Sequence, residues 1–268
     1  RSSLSSEKIE LSRSRQLSTQ LERARPYGWG ALWFVGTDPE QRFARTLSQV
    51  CRSTRRMLGF LPTGLGPGNA STPLVSMFWS LRMDTVDSWR QLGLAQWKEE
   101  LASHAPHAEP LLDQITDIEQ VLTASYVDGV MRRWHKGRMV YVGDAAHSMS
   151  PQLGQGTNLA LMDASALADC ILGASEIHSA LSDYEQRRRA HVRFYQFASR
   201  WLTPLFQSDH GWLAPLRDLL LPIAARIGPF RRQMLQTLAG VKRGILPHSV
   251  RLEEIDHVAA LLGPSTGD

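Results

Sequence analysis

The residues best suited to chemistry lie in one continuous stretch, Gly143-Asp144-Ala145-Ala146-His147-Ser148-Met149-Ser150-Pro151-Gln152-Leu153-Gly154-Gln155-Gly156-Thr157-Asn158, with Asp163-Ala164 shortly after it. Gly143 lets the chain turn where the apolar run Met139-Val140-Tyr141-Val142 ends, and Asp144 sets there a carboxylate that can accept hydrogen bonds from hydroxyl groups. Gly154 and Gly156 permit close approach of the backbone to a flat ligand. Their N–H groups, with those of Thr157 and Asn158, open a helix, where free donors and the helix dipole both favour an electron-rich group. A ligand with a polyol and an anionic ring edge suits this pattern. His147 lies close to Asp144 and Ser148, yet no G-x-S-x-G turn is present and one loop carrying Asp-x-x-His-Ser cannot align a triad, so no nucleophile is expected. Cys51 and Cys170 stand alone, without C-x-x-C or a close histidine, so neither a zinc site nor a disulfide framework is indicated. A reducing compartment, and hence a cytoplasmic location, is the simplest expectation.

The elements that must position this stretch follow from periodicity. Trp29 to Val35, Thr46 to Arg52, Arg56 to Leu61 and Ser76 to Met83 are short aromatic and β-branched runs separated by Pro, Gly and Asn, which predicts an antiparallel sheet. From Asp84 to His104, Val86, Trp89, Leu92, Leu94, Trp97 and Leu101 recur near helical spacing, with Asp84 as N-cap, and predict a helix covering one sheet face. Val121 to Val127 and Arg138 to Val142 read as two further strands, the second running straight into Gly143-Asp144. Thr157 to Leu172 reads as a helix whose Ala160, Ala164 and Ala168 form a small-residue stripe able to approach a sheet. Helical periodicity continues from Ile177 to about Thr203 and from Trp212 to Gly240, with breaks expected at Pro204, Pro222 and Pro229.

At 268 residues and 43% hydrophobic content the chain can bury a core and is long enough for more than one domain. Collagen, low-complexity disorder and a coiled-coil rod are excluded. Lys+Arg 30 against Asp+Glu 26 leaves a net charge of +4, too little for a nucleic-acid binder. Residues 1–25 are rich in Ser and Arg and read as a frayed helix or linker; the remainder divides into a sheet domain at 26–119, a segment at 120–176 carrying the Gly-Asp stretch, and a helical region at 177–268. The N-terminus has neither an initiating Met nor the apolar stretch of a signal peptide, and reads as a chain beginning in the middle of a longer one. No run approaches the roughly 20 apolar residues of a membrane span.

The sequence Gly-Asp-Ala-Ala-His at 143–147, then Pro151, Gly154, Gly156, Asn158 and Asp163-Ala164, resembles the second flavin-contacting motif of single-component FAD-dependent aromatic monooxygenases, the 4-hydroxybenzoate hydroxylase-like group. Pro26-Tyr27-Gly28-Trp29 resembles the start of that family's substrate-domain sheet, and Tyr184 to Arg193 its following helix, so the resemblance reaches to about Leu246. It implies an α/β (α+β) fold: part of a Rossmann-like FAD-binding domain, an antiparallel-sheet substrate domain and C-terminal helices. It also implies FAD as cofactor, NAD(P)H as transient electron donor and O2 as oxidant. FAD contacts are implied at Asp144, Pro151, Leu153, Gly154, Gln155, Gly156, Thr157 and Asn158, with the Pro151 carbonyl at the reactive edge of the flavin. The N-terminal βαβ unit with G-x-G-x-x-G that such proteins use for the adenylate is missing, and Arg1-Ser2-Ser3-Leu4 looks like the tail of their Asp-Gly motif. A C-terminal fragment is therefore expected.

The resemblance also bears on substrate. Ser48 matches a serine that helps hold a benzoate carboxylate in the family archetype, but the arginine two residues on is replaced by Val50, and a tyrosine further along the sheet by Leu58. With Trp29 and Trp79 as aromatic candidates, that argues for a larger, less charged aromatic or polyketide-like substrate than 4-hydroxybenzoate. Of Trp29, Trp33, Phe78 and Trp79, at least half are expected in the core, and only those turned toward the flavin can line a pocket. The rival readings are a flavin-dependent reductase or desaturase with the same motif, and a non-catalytic remnant that retains no flavin. Arg187-Arg188-Arg189, Arg193 and Arg200 read as a solvated helix face. Eleven Lys/Arg against three Asp/Glu from Tyr184 to Arg243 admit a peripheral contact with an anionic membrane. Self-association through surfaces belonging to a missing segment is the other partner expectation.

Overall fold

A computed structural model describes residues 21–43, 46–66, 69–242 and 244. Five antiparallel strands form the main sheet: β1 (Leu21–Thr37), β2 (Ser48–Arg52), β3 (Arg56–Gly66), β4 (Asn69–Arg82) and β5 (Leu122–Met131), in the order β2-β3-β4-β1-β5. Side chains alternate between its faces, and directly paired residues share a face. Leu32 pairs with Trp79, Trp79 with Leu58 and Leu58 with Val50, so these four lie in one row. With Phe34, Phe60 and Met77 they form the covered face.

The cover is helical: α1 (Val86–Leu92), α2 (Leu94–His104) and the single turn α3 (Glu109–Leu112). They bring Trp89, Trp97, Leu101, Leu111 and Leu112 into the same core, where the Trp89 and Trp97 rings meet edge to face at 5.5 Å between centroids. Burial of each such side chain contributes roughly 1.5–3 kcal/mol. The single helix expected from Asp84 to His104 is split because Gly93 takes φ 87°, a left-handed value that ends α1. Asp84 is not its N-cap. Its carboxylate instead accepts from the Arg82 guanidinium at 2.9 and 2.6 Å, and Thr85 stands at the cap position without a side-chain capping bond.

Three other expectations change. Residues 21–25, read as linker, are strand: β1 extends back to Leu21 because β5 supplies partners as far as Met131. Arg138 to Val142 contributes only β7 (Met139–Val140), paired with β6 (His135–Lys136), since no other described strand lies alongside to extend it. Helix α4 (Asp144–His147) follows, then a one-turn 3-10 helix at Pro151–Leu153, α5 (Gly156–Gly173), α6 (Ile177–Phe206), α7 (Leu213–Arg226) and α8 (Gly228–Leu238). Helix α6 runs through Pro204, which removes one bond, to the Arg200 carbonyl, two residues before the helix ends, and α7 runs through Pro222, which lies on an exposed side where water can satisfy the freed carbonyl. Pro229 alone marks a boundary, near the start of α8. The stretch Arg1 to Leu4 lies outside the described residues.

Candidate functional site

The turn into α4 is set by Gly143, whose backbone at φ 58°, ψ −139° is accessible to glycine and strained for any other residue. A Cβ there would also lie 2.9 Å from the Ala160 Cβ on α5. Gly143→Ala is therefore expected to cost about 2 kcal/mol or more; a denaturant midpoint unchanged from wild type would contradict that close packing. Asp144 occupies the first turn of α4, exposed, and its carboxylate makes no hydrogen bond to a described residue. Its Oδ1 lies 3.8 Å from the place where a Gly156 Cβ would stand. The carboxylate and the N-terminus of the 18-residue helix α5 thus share one surface. Gly154, at φ 63°, has open space where a side chain would be.

Beneath this surface is a buried polar network. The Asp163 carboxylate, fully buried on α5, accepts from the Gly143 amide at 3.0 Å, from His147 Nε2 at 2.6 Å and from Arg188 Nε at 2.8 Å. Burial pushes the Asp163 carboxyl up, but the bonds from His147, Arg188 and the Gly143 amide outweigh it and hold the group below its ordinary range. Arg188 also lies 2.5 Å from His191 Nδ1, and His191 Nε2 donates to the Gly240 carbonyl at 2.9 Å. One carboxylate on α5 thereby fixes the turn before Asp144, the end of α4, and α6. His147 faces into this network rather than toward the open surface, with its Nδ1 buried and unpartnered among the described residues.

The C-terminal end of α8 closes the other side. Gly240, at φ 79°, approaches so near that a Cβ would meet Asn158 Nδ2 at 1.8 Å. Gln155 donates to the Leu238 carbonyl at 2.7 Å and accepts from Asn158 at 2.9 Å. The side chains of Gln155 and Asn158 are thus occupied by each other and by α8, and Leu153 is buried against Leu159 and Tyr195. What these three can offer a ligand is backbone. The amides of Gly156, Thr157 and Asn158, in the first turn of α5, lack intrahelical acceptors. An exposed acceptor at Asp144, free donors at α5 and open glycine positions fit the ribityl chain and the N1–C2=O edge of a flavin.

Pro151 is exposed on the 3-10 turn that joins this surface to the sheet. Next to it, Gln152 donates to Gln207 Oε1 at 2.8 Å, and Gln207 donates to the Gly30 carbonyl of β1 at 3.1 Å. Gln207 also lies 3.4 Å from the Ser80 hydroxyl, whose side chain is on the sheet face opposite the helical cover. The loop therefore adjoins that second face. It carries a row in which Leu122, Trp33, Phe78 and Gly59 are successive partners, with Trp33 and Phe78 stacked at 5.6 Å and 17° and Gly59 leaving room for the Phe78 ring.

The residues expected to meet substrate divide between the two faces of the sheet. Ser48, Val50, Leu58 and Trp79 share the helix-covered face, where Leu58 and Trp79 are completely buried and have no surface to give. Trp29 alone of the five is on the face toward the loop. A change of one residue in register moves a strand's whole side-chain set to the other face, and residue type did not separate two faces that both carry aromatics. The arginines of α6 change in part: Arg188 is buried against Asp163 and Arg200 pairs with Asp128 at 2.6 Å, whereas Arg187 and Arg193 are exposed and Arg189 pairs with Glu185 one turn before it. The i, i+4, i+7, i+11 spacing of Tyr184, Arg188, His191 and Tyr195, all buried, carried the signal for Arg188. The expected small stripe of α5 also differs: Ala164 and Ala168 are exposed, while Leu159, Asp163 and Cys170 face inward.

The chain is similar to several known proteins. The 3-amino-4-hydroxybenzoate 2-monooxygenase PtnB3 of Streptomyces platensis is 41% identical over 99 residues, covering 36% of this chain and 25% of that protein. The 2-heptyl-3-hydroxy-4(1H)-quinolone synthase of Pseudomonas aeruginosa is 35% identical over 124 residues, covering 46% of this chain and 29% of that protein. In fold, the chain is similar to HpxO of Klebsiella pneumoniae, solved with FAD and uric acid, at TM-score 0.60 and 19% identity over 84% of this chain and 55% of that one. Alignments to the curated relatives span from 17% to 30% of their lengths. Residues 42–196, more than half of the chain and inclusive of Asp144 and the start of α5, match the family described as FAD binding domain, and the chain belongs to that family.

Proposed function

We propose that this chain forms the ring-side and substrate-side part of an FAD-dependent monooxygenase that uses NAD(P)H and O2 to hydroxylate a flat, neutral aromatic or polyketide-like substrate. The observation that carries the reading is the free Asp144 carboxylate beside the first amides of α5. FAD, when bound, supplies two-electron reduction by NAD(P)H and transfer of one atom of O2 to the substrate, the other leaving as water. The residues of this chain orient and shield. Asp144 accepts hydrogen bonds from the ribityl hydroxyls, and the amides of Gly156 to Asn158 with the α5 dipole stabilise negative charge at the ring edge. Pro151 lines the side of the ring toward the sheet. Among the described residues no βαβ unit is present to hold the adenylate.

The substrate is placed between the Pro151 loop and the open sheet face. Trp33 and Phe78 provide a stacked aromatic wall, with Leu122, Val35 and Leu61 exposed around it. No ionised side chain belongs to the row from Leu122 to Gly59, which favours a neutral ring over a benzoate, whose carboxylate would lack a partner there. In a protein carrying this chain together with an adenylate-binding N-terminal segment, 4-hydroxybenzoate is expected to stimulate little NAD(P)H oxidation, and bulkier neutral phenolics more. Phe78→Ala should raise KM for the latter by about tenfold through lost stacking and burial. The test is substrate-dependent NAD(P)H consumption with mass analysis of the product. A product one oxygen heavier supports the reading; reduction or desaturation without oxygen gain would replace it with the reductase alternative, and efficient coupled hydroxylation of 4-hydroxybenzoate would overturn the substrate class.

A further inference from the structure

Helices α7 and α8 carry little that the flavin site uses, and their composition is unusual for a surface. Along α7 and into α8, Leu216, Leu219, Leu220, Ile223, Ile227 and Phe230 recur at helical spacing, and all six are exposed, Leu219 at 61% and Phe230 at 59%. An amphipathic helix in a folded domain turns such a stripe inward. Here the inward side of α7 is instead taken by Ala214 and by Arg217, whose guanidinium donates to the Ser53 and Leu205 carbonyls at 3.0 Å each. The stripe is therefore presented outward by a helix that is anchored from behind.

The charges around the stripe have one sign. Asp218 is the single carboxylate between Trp212 and Lys242, and it is paired with Arg217 at 2.7 Å. Arg226, Arg231 and Arg232 are exposed and have no ion-pair partner among the described residues. Arg231 and Arg232 stand beside a groove of about 510 Å³ floored by Leu235, Ala239 and Val241. Trp212, at the start of α7, is exposed as well. An apolar stripe, unpaired guanidinium groups and a tryptophan at one end are the features of helices that lie in the headgroup layer of an anionic membrane.

We propose that the α7–α8 surface docks on an anionic phospholipid bilayer, the six apolar residues entering the acyl boundary and the three arginines contacting lipid phosphates. The two helices, of 14 and 11 residues, are too short to cross a bilayer, and no described helix is long and apolar enough to do so. They lie along the interface. A second copy of the chain is a poorer occupant, because a two-fold contact over this stripe would bring Arg226, Arg231 and Arg232 of both copies together with no carboxylate between them. Lipid phosphate supplies the missing counter-charge. The docking is independent of flavin binding and so of the reading given above.

The test is sedimentation of the full 268-residue chain with vesicles of phosphatidylcholine alone and of equal parts phosphatidylcholine and phosphatidylglycerol. Binding is expected to the mixed vesicles and to be far weaker to the neutral ones. Changing Arg226, Arg231 and Arg232 together to Gln should lower affinity for mixed vesicles on the order of 100-fold, from the attraction that each basic residue contributes near an anionic surface. Leu219→Glu with Ile223→Glu should abolish binding. All five substitutions are at exposed positions, and far-UV circular dichroism checks that the helices persist. No binding to either vesicle, equal binding to both, or affinity indifferent to the arginine changes would overturn the proposal. Concentration-dependent self-association that Leu219→Glu dissolves, with no lipid binding, would overturn it in favour of a second copy.

Discussion

Asp163→Ala is expected to destabilise the protein by about 3–5 kcal/mol, the cost of breaking a buried ion pair and leaving the other charge uncompensated. Asp163 is fully buried, and its removal strands Arg188 in a low-dielectric interior, leaves the Gly143 amide without its acceptor and leaves His147 without the partner of its Nε2. For a domain of this size the loss corresponds to a fall in Tm on the order of 10 °C. Replacing both charged partners, as in Asp163→Leu with Arg188→Met, should recover much of the deficit, since the desolvation cost of the arginine disappears with it. The pH dependence has a fixed sign. The folded-state carboxyl is held below its unfolded value, so the stabilisation is complete above the unfolded pKa and is lost as pH falls through the lower folded one. Thermal melts of the single and double variants across acidic pH check both points. A single variant within 1 kcal/mol of wild type would show that the network does not hold these elements together.

Asp144→Ala should weaken FAD binding by about 1.5–3 kcal/mol, or roughly tenfold to somewhat above a hundredfold, in a protein that also contains the adenylate-binding segment. It deletes the charged acceptor offered to the ribityl hydroxyls. Stability should change little, because Asp144 is exposed and bonded to no described residue. That pairing of outcomes separates it from Asp163→Ala, which damages the fold first and the cofactor surface in consequence. His147→Ala, by contrast, should retain turnover in whatever fraction remains folded, since its Nε2 faces Asp163 and not the open surface. Equilibrium titration with FAD, followed by flavin fluorescence, measures the first effect. Unchanged affinity in Asp144→Ala would remove the carboxylate from the site.

Much of the architecture was legible because local chemistry and tertiary demand agreed. The strand runs of β2 to β4 lie between turn-forming residues, and the start of α5 is marked by Gly154 and Gly156, one ending a 3-10 turn in a left-handed conformation and the other opening the helix. The candidate flavin stretch stands out in the sequence for the same reason, since a strand end, a carboxylate and a helix N-terminus are adjacent in sequence and so adjacent in space. Which face of the sheet each aromatic occupies was not. Trp33 and Trp79 are both tryptophans in strands, and only the pairing of β4 with β1 and β3 decides that Trp79 enters the core while Trp33 stacks on Phe78 toward the loop. Arg188 looked like one of five surface arginines because the partner that draws it inward, Asp163, lies on another helix. Composition assigns a charge to the surface unless a distant partner is known. The prolines misled in the opposite direction: Pro204 and Pro222 lie inside α6 and α7, each at the expense of one backbone hydrogen bond.

In the reading proposed above, Asp144 and the N-terminus of α5 form one flavin-binding surface. A crystal structure of this chain joined to an adenylate-binding segment, grown with FAD, is the decisive measurement. A ribityl hydroxyl is expected about 3 Å from an Asp144 carboxylate oxygen, with the N1–C2=O edge of the ring at a similar distance from the amides of Gly156 to Asn158. The sheet face bearing Trp33 and Phe78 should then lie across the Pro151 loop from the opposite edge of the ring. A flavin seated elsewhere, with the Asp144 carboxylate left in solvent, would contradict it.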